Sequence, residues 1–257
     1  MSVIRVKRFR IKSYKKNIKP LLLMKGVNKS YGSQLVLDRI NLEIMPASIV
    51  GLLGPNGSGK STIFNLIMGI LKVDSVKIIY GNKEIQNEPV TYRSKLGISV
   101  MMQERALFDL STEDNLYSIA EILIKEKRKQ KEVVDRLIGE FSLDSLRKQK
   151  ARNLSGGQRA KLCLARTLIN QPKLILLDEA TAGLDPLTVQ EVSRLILRLQ
   201  SYHHVSLLIT SHIVGDVMRV CDRLYILGNH KVIEEGSPQK VLKSAVAREM
   251  YFGDYEG

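Results

Sequence analysis

Two short segments of this 257-residue chain carry residue types and spacings that could do phosphate chemistry. The first is Gly54-Pro55-Asn56-Gly57-Ser58-Gly59-Lys60-Ser61, followed by Thr62. It fits G-x-x-x-x-G-K-[ST], and it lies between a buried apolar run and a helical one, where that pattern needs to lie. Glycines let consecutive backbone N–H groups turn inward around phosphate oxygens. The following helix start adds partial positive charge. Lys60 would reach the terminal phosphates, and the Ser61 hydroxyl would bind Mg²⁺. A glycine-rich turn matches this pattern by chance in about one chain of this length in a hundred. The second segment is Leu174-Ile175-Leu176-Leu177-Asp178-Glu179, an apolar strand ending in two carboxylates. Asp178 would hold Mg²⁺, and Glu179 could polarise a water for in-line attack on a γ-phosphate. A lone Asp-Glu is usually a solvated strand end. Paired with the phosphate loop, it points to nucleoside triphosphate hydrolysis.

The elements that must position these groups alternate. Strands are expected at 21–27, 40–44, 48–53, 77–80, 173–177, 205–209 and 224–227, and helices at 60–68, 159–168, 186–201 and 213–221. Gly228-Asn229 reads as a hairpin turn, and Ser237-Pro238 opens a last helix. Alternation of this kind implies an α/β fold with a mostly parallel, helix-covered core sheet. Residues 104–165 read differently. Ser111 and Thr112 offer N-caps, and two apolar stripes at helical spacing flank a charge run, Lys125 to Lys131, expected as a solvated helix end. This is a helical insertion.

Composition sets the limits. There are 40 Lys and Arg against 26 Asp and Glu, a net charge of +14. Residues 1–20 hold eight of the basic side chains and no acidic one, so the remaining 237 residues are only mildly basic, with 32 against 26. Trp is absent and aromatics are 5%, which argues against a stacking-based single-strand nucleic-acid binder. Two cysteines in unrelated contexts, Cys163 and Cys221, exclude a disulfide scaffold and fit a reducing compartment. No stretch is apolar and long enough to span a membrane, and the basic start lacks the apolar segment of a secretory signal.

A GTPase would need a guanine-reading Asn-Lys-x-Asp, and Asn82-Lys83-Glu84-Ile85 lacks its Asp. A small-molecule kinase remains compatible with the first two motifs. Leu154-Ser155-Gly156-Gly157-Gln158 discriminates. With it, the chain from about 21 to 253 resembles the ATP-binding-cassette (ABC) ATPases, and the rest of the family pattern falls in order. The resemblance implies the P-loop NTPase fold of the ABC type, with an N-terminal antiparallel β subdomain. It makes Tyr31 an adenine-stacking aromatic. Gln103 becomes the glutamine that touches Mg²⁺ and the attacking water and senses the transport partner. Asp185 goes to a dimer contact, and His212 to the γ-phosphate. Alone, each would be read as an ordinary surface or strand-end residue, as His203, His204 and His230 are. Ser155, Gly156, Gly157 and Gln158, ahead of a helix, make a second anion site, which the family uses on the ATP of a second copy. The implied assembly is a homodimer sandwiching two ATP and Mg²⁺ ions. Ala180 replaces the family's usual proline, which could loosen the turn after Glu179, and Val76 stands where a glycine is common.

Within the family, a single cassette with a short insertion resembles the separate subunit of a bacterial transporter. Leu96-Gly97-Ile98, Gln103-Glu104 and the ending from Arg248 to Asp254 are similar to the lipopolysaccharide-export ATPases, with branched-chain amino-acid importer ATPases as close relatives. A groove around Leu107, Phe108 and Leu110 is expected to receive a helix of an integral membrane subunit, which places the chain at the cytoplasmic face of the inner membrane. A role on nucleic acid, raised by the basic start, is the weaker alternative. Residues 1–20 are expected to be a disordered extension, a lipid-contacting arm, or the product of a start assigned too far upstream. The cassette is expected to fill 21–257 as one domain.

Overall fold

The structure, a computed structural model, describes residues 18–103, 106–211 and 214–249, without the side chains of Ser75, Val76 and Asp216. His212, Glu104, the Val76 side chain and most of the basic start and of the ending that carried the finer resemblance therefore lie outside the described residues. In chain order the elements are β1 (Leu22–Tyr31), β2 (Gln34–Ile44), β3 (Ile49–Leu53), α1 (Lys60–Met68), β4 (Ser75–Tyr80), β5 (Lys83–Glu84), α2 (Val90–Lys95), β6 (Ile98–Met101), α3 (Thr112–Leu123) and α4 (Lys127–Glu140). They continue as α5 (Gly156–Leu168), β7 (Leu174–Asp178), α6 (Pro186–His203), β8 (Ser206–Thr210), α7 (Val214–Val220), β9 (Arg223–Gly228), β10 (Lys231–Gly236), α8 (Pro238–Lys243) and α9 (Ala245–Ala247).

Two sheets form. A six-stranded sheet has the order β10-β9-β3-β8-β7-β6, parallel except for the β9–β10 hairpin. A four-stranded antiparallel sheet has the order β2-β1-β4-β5. The central strands of the large sheet are buried on both faces, and this is why they read as continuous apolar runs. Side chains alternate across a strand. Val50, Leu52, Leu174, Leu176 and Leu208 thus pack with α1 and the antiparallel sheet. Ile49, Leu53, Ile175, Leu177, Leu207 and Ile209 pack with the helices of the other face. Leu116 and Ala120 of α3 and Val134, Leu137 and Ile138 of α4 join that second cluster. The hairpin turn at Asn229 and His230 has both residues at positive φ, as a two-residue turn between twisted strands requires.

Several local expectations change. The segment between β5 and the insertion forms α2 and β6, of six and four residues, too short to show periodicity. The chain breaks at 124–126, and the basic run from Lys127 opens α4 rather than closing α3. Helix α5 begins at Gly156, three residues earlier than its apolar stripe indicates, because Ser155 and Gln158 form a capping box. His203 is not a free surface residue. It is half-buried, with Nε2 2.6 Å from Glu140 Oε1, joining the end of α6 to the end of α4.

Candidate functional site

Strand β3 is fully buried and stops at Gly54. Gly54, Gly57 and Gly59 all have positive φ. A Cβ at Gly54 would lie 2.7 Å from the Leu227 carbonyl, and one at Gly59 would lie 2.5 Å from Leu37, so neither position accepts a side chain. Around Gly57 there is open space. Gly59 caps α1 in the left-handed conformation, and no side chain or acidic residue covers the first turn. The N–H groups that open α1 thus face the loop without helical partners.

Lys60 folds back over this loop. Its Nζ donates to the Gly54 and Pro55 carbonyls at 2.8 and 2.9 Å. Burial pushes the Lys60 ammonium below the ordinary lysine range, while Glu179 and Asp178 pull it back up. Ser58 Oγ is buried with no hydrogen-bond partner among the described residues. A buried hydroxyl without a partner is costly, and this one sits inside the loop.

The two carboxylates arrive from the end of β7, which is separated from β3 by β8. Asp178 ends β7 and pairs in register with Thr210, the end of β8. The Thr210 hydroxyl donates to Asp178 at 2.5 Å. The Glu179 N–H donates to the Thr210 hydroxyl and carbonyl oxygens at 3.0 and 3.2 Å. These bonds hold Glu179 at φ 48°, an uncommon conformation for a side-chain-bearing residue. After Glu179, Ala180 is buried, and Ala182 N–H closes the turn on the Glu179 carbonyl at 3.0 Å. Gln103, just past β6, donates Nε2–H to Glu179 Oε2 at 3.0 Å. Asn56, Gly57, Gly59, Lys60, Ser61, Thr62, Gln103, Asp178 and Glu179 line one cavity of about 680 Å³, with Val36 of β2 on its wall.

Sequence reasoning missed Val36 and Thr210. Thr210 is found only through strand register. Thr210→Val keeps the shape and removes the hydroxyl. It is expected to cost about 1–3 kcal/mol of stability and about 10–100-fold in turnover through the unsupported Asp178. A urea melt and a phosphate-release assay check this, and parent-like values in both would remove Thr210 from the site.

Other expected residues lie elsewhere. Tyr31, half exposed at the end of β1, is not among the residues lining the cavity, and Lys29 Nζ sits 5.7 Å from its ring centre. Ser155, Gly156, Gly157 and Gln158 are also apart from it. Ser155 Oγ accepts from Gln158 N–H and Gln158 Oε1 accepts from Ser155 N–H, so the Gln158 side chain serves the cap. Asp185 caps α6 by accepting from Leu187 and Thr188 N–H, both at 3.1 Å. The Thr188 hydroxyl on its carboxylate holds Asp185 below the usual carboxylate range. A Cβ on Gly157 would meet the Thr188 methyl at 2.4 Å. The starts of α5 and α6 are therefore locked together as one surface.

The three apolar residues expected around a partner groove divide between core and surface. Leu107 is half-buried and packs against the core. Phe108 and Leu110 are exposed, with Arg166 stacked 5.4 Å from the Phe108 ring centre. A groove of about 350 Å³ runs nearby, between α2 and β6 on one side and α3 and α5 on the other, past Val90, Met102, Ile119, Leu123 and Arg166. It ends one residue from Gln103.

The residues of the large cavity fit a magnesium-bound triphosphate. Inward N–H groups, a buried lysine and an unpartnered hydroxyl suit phosphate oxygens. The Ser61 hydroxyl and Asp178 carboxylate are hard oxygen donors of the kind Mg²⁺ shares with phosphates.

Comparisons with known proteins agree in kind. The family description "ABC transporter" matches residues 37–182. Lipopolysaccharide export system ATP-binding proteins LptB from Acidithiobacillus ferridurans and Haemophilus influenzae are each 36% identical, covering 91% of this chain and 97% and 98% of theirs. Among solved structures, the ADP conformation of MJ1267, an ATP-binding cassette of an ABC transporter, superposes with a TM-score of 0.82 at 29% identity, over 92% of this chain and all of the other. cbiO1 from Clostridium perfringens, part of an ABC transporter complex, gives 0.81 at 28% identity, over 91% and 96%.

Proposed function

The chain belongs to the ABC transporter family of ATP-hydrolysing subunits, and from that premise we propose that it powers the export of lipopolysaccharide from the inner membrane. The substrate rests on the similarity to the LptB proteins. Coupling to a membrane partner rests on one observation: the apolar groove ends beside Gln103, which is bonded to Glu179.

In this reading ATP supplies the γ-phosphate that water attacks. The N–H groups of Gly57 to Thr62 and the Lys60 ammonium would hold the phosphates, and Ser61, Asp178 and Gln103 would hold Mg²⁺, which would neutralise charge on the phosphate oxygens. Glu179 orients and deprotonates the water. His212, outside the described residues, is assigned to the γ-phosphate by family resemblance. Tyr31 is assigned to adenine with it, at the rim beyond Val36. Ser155, Gly156, Gly157 and Gln158 are not among the residues lining the cavity, which supports assigning them to the ATP of a second copy, with Asp185 at the joint. Two copies would close on two ATP molecules beneath integral membrane subunits, on the cytoplasmic face. Among the described residues no helix is long and apolar enough to cross a membrane.

The test is purification from detergent-solubilised membranes, followed by reconstitution with the co-purified membrane subunits. Lipopolysaccharide is expected to raise ATP turnover of the assembly, and Met102→Asp in the groove is expected to abolish co-purification. Stimulation by amino acids instead would overturn the substrate, and retention of the membrane subunits by Met102→Asp would overturn the groove.

A further inference from the structure

Helices α3 and α4 meet at a corner that the ATPase site does not use. Ile122 is 79% exposed and Leu123 42% exposed, at the end of α3. Three residues later α4 opens with Lys127, Arg128 and Lys129. Lys125 and Lys131 flank them, and all five basic residues are exposed. Arg128 pairs with Glu132 at 3.0 Å, but Lys125, Lys127, Lys129 and Lys131 have no ion-pair partner among the described residues. Glu121 and Glu126 are the other acids of the corner, and neither pairs with these lysines. The α4 first turn contains no acid, and the Glu126 side chain makes no cap bond. Cations crowd the positive end of a helix dipole there, an arrangement that is unfavourable in isolation.

The corner is tied to the core. The buried Gln130 side chain donates Nε2–H to the Ile124 carbonyl at 2.8 Å, and Ile124 packs on the core. Nothing in folding requires Ile122 to project. Leu123 also lines the groove assigned to the membrane partner, so the corner continues that surface outward.

We propose that the α3–α4 corner is a direct contact for anionic phospholipid headgroups, with the lysines on lipid phosphates and Ile122 at the headgroup boundary. An amphipathic edge of this kind gains from apolar burial and from charge attraction together. The proposal goes beyond the transport reading and does not depend on which substrate is moved. The lipid contact is the chain's own, made without the membrane subunits.

The full-length chain is sedimented with vesicles of phosphatidylcholine alone and of phosphatidylcholine with phosphatidylglycerol, over a range of salt. Binding is expected only to the phosphatidylglycerol vesicles. The triple variant Lys125→Ala, Lys127→Ala, Lys129→Ala is expected to bind at least about tenfold more weakly. Ile122→Ser is expected to bind about threefold more weakly or less tightly still, with the loss surviving at high salt, where charge is screened. Basal ATP turnover and the melting temperature of both variants should match the parent, since these positions are exposed and none lines the phosphate cavity. Parent-like vesicle binding by the triple variant would move the contact to other basic residues, such as those of 1–20, and overturn the proposal. So would a parent chain that ignores phosphatidylglycerol, which would leave an acidic protein surface as the occupant. The vesicles contain no protein, so failure here and failure of the transport reading are separate results.

Discussion

Glu179→Gln will bind ATP like the parent and hydrolyse it about 10²–10⁴-fold more slowly. The exchange is nearly isosteric, and the structure shows what survives it. The Glu179 N–H bonds to Thr210 belong to the backbone. The bond from Gln103 Nε2 needs only one acceptor oxygen, which an amide still has. The left-handed backbone at φ 48° is set by the strand ends. What is lost is the second carboxylate oxygen and its charge, the only features a base needs and a scaffold does not. Single-turnover kinetics separate the two, because binding and hydrolysis are then read apart. A turnover within a few-fold of the parent would assign the base to another group.

Lys60→Met will weaken ATP binding by about 30-fold or more, the loss expected when one partner of a buried, hydrogen-bonded charge contact is truncated. Methionine keeps the length and the apolar stem, so the packing of α1 is preserved. Two effects add. The phosphates lose their cation, and the Gly54 and Pro55 carbonyls lose the ammonium that bridges them. The second effect loosens the loop itself, so entropy of ordering is added to the loss of charge. Titration calorimetry against ATP measures the change, with circular dichroism confirming the fold. A parent-like affinity would mean that the helix start and loop N–H groups alone hold the triphosphate.

The phosphate loop was legible because its function is local. Eight consecutive residues make the turn, and its glycines follow from positive φ at Gly54, Gly57 and Gly59, with close neighbours as well at Gly54 and Gly59. The Asp178-Glu179 pair was legible because an apolar five-residue strand ends on it. Thr210 was not, since its link to Asp178 exists only when β7 and β8 lie in register. Val36 enters the cavity from the other sheet, which no spacing in the sequence connects to Lys60. The cavity beside Gln103 was not legible for the same reason. It is assembled from α1, α2, β6, α3 and α5, and α2 and β6 are too short to announce themselves. Leu107, half-buried, packs against the core. The resemblance carried Tyr31, Gln103 and Asp185, which no local pattern singles out. Of these the structure brings Gln103 to the cavity, and it gives Asp185 a second task as the cap of α6.

In the proposed assembly one copy's cavity is completed by the Ser155 to Gln158 segment of another. Sedimentation of Glu179→Gln with ATP and Mg²⁺ decides this, alongside the same chain carrying Gly156→Asp. That aspartate sits at a helix start, where its charge suits the dipole and the fold is kept, but it repels a triphosphate. Twice the chain mass is expected for Glu179→Gln with ATP, and a single-chain mass once Gly156→Asp is added, with ATP still bound to each copy. A single-chain mass for ATP-loaded Glu179→Gln, or a dimer indifferent to Gly156→Asp, would overturn the shared site.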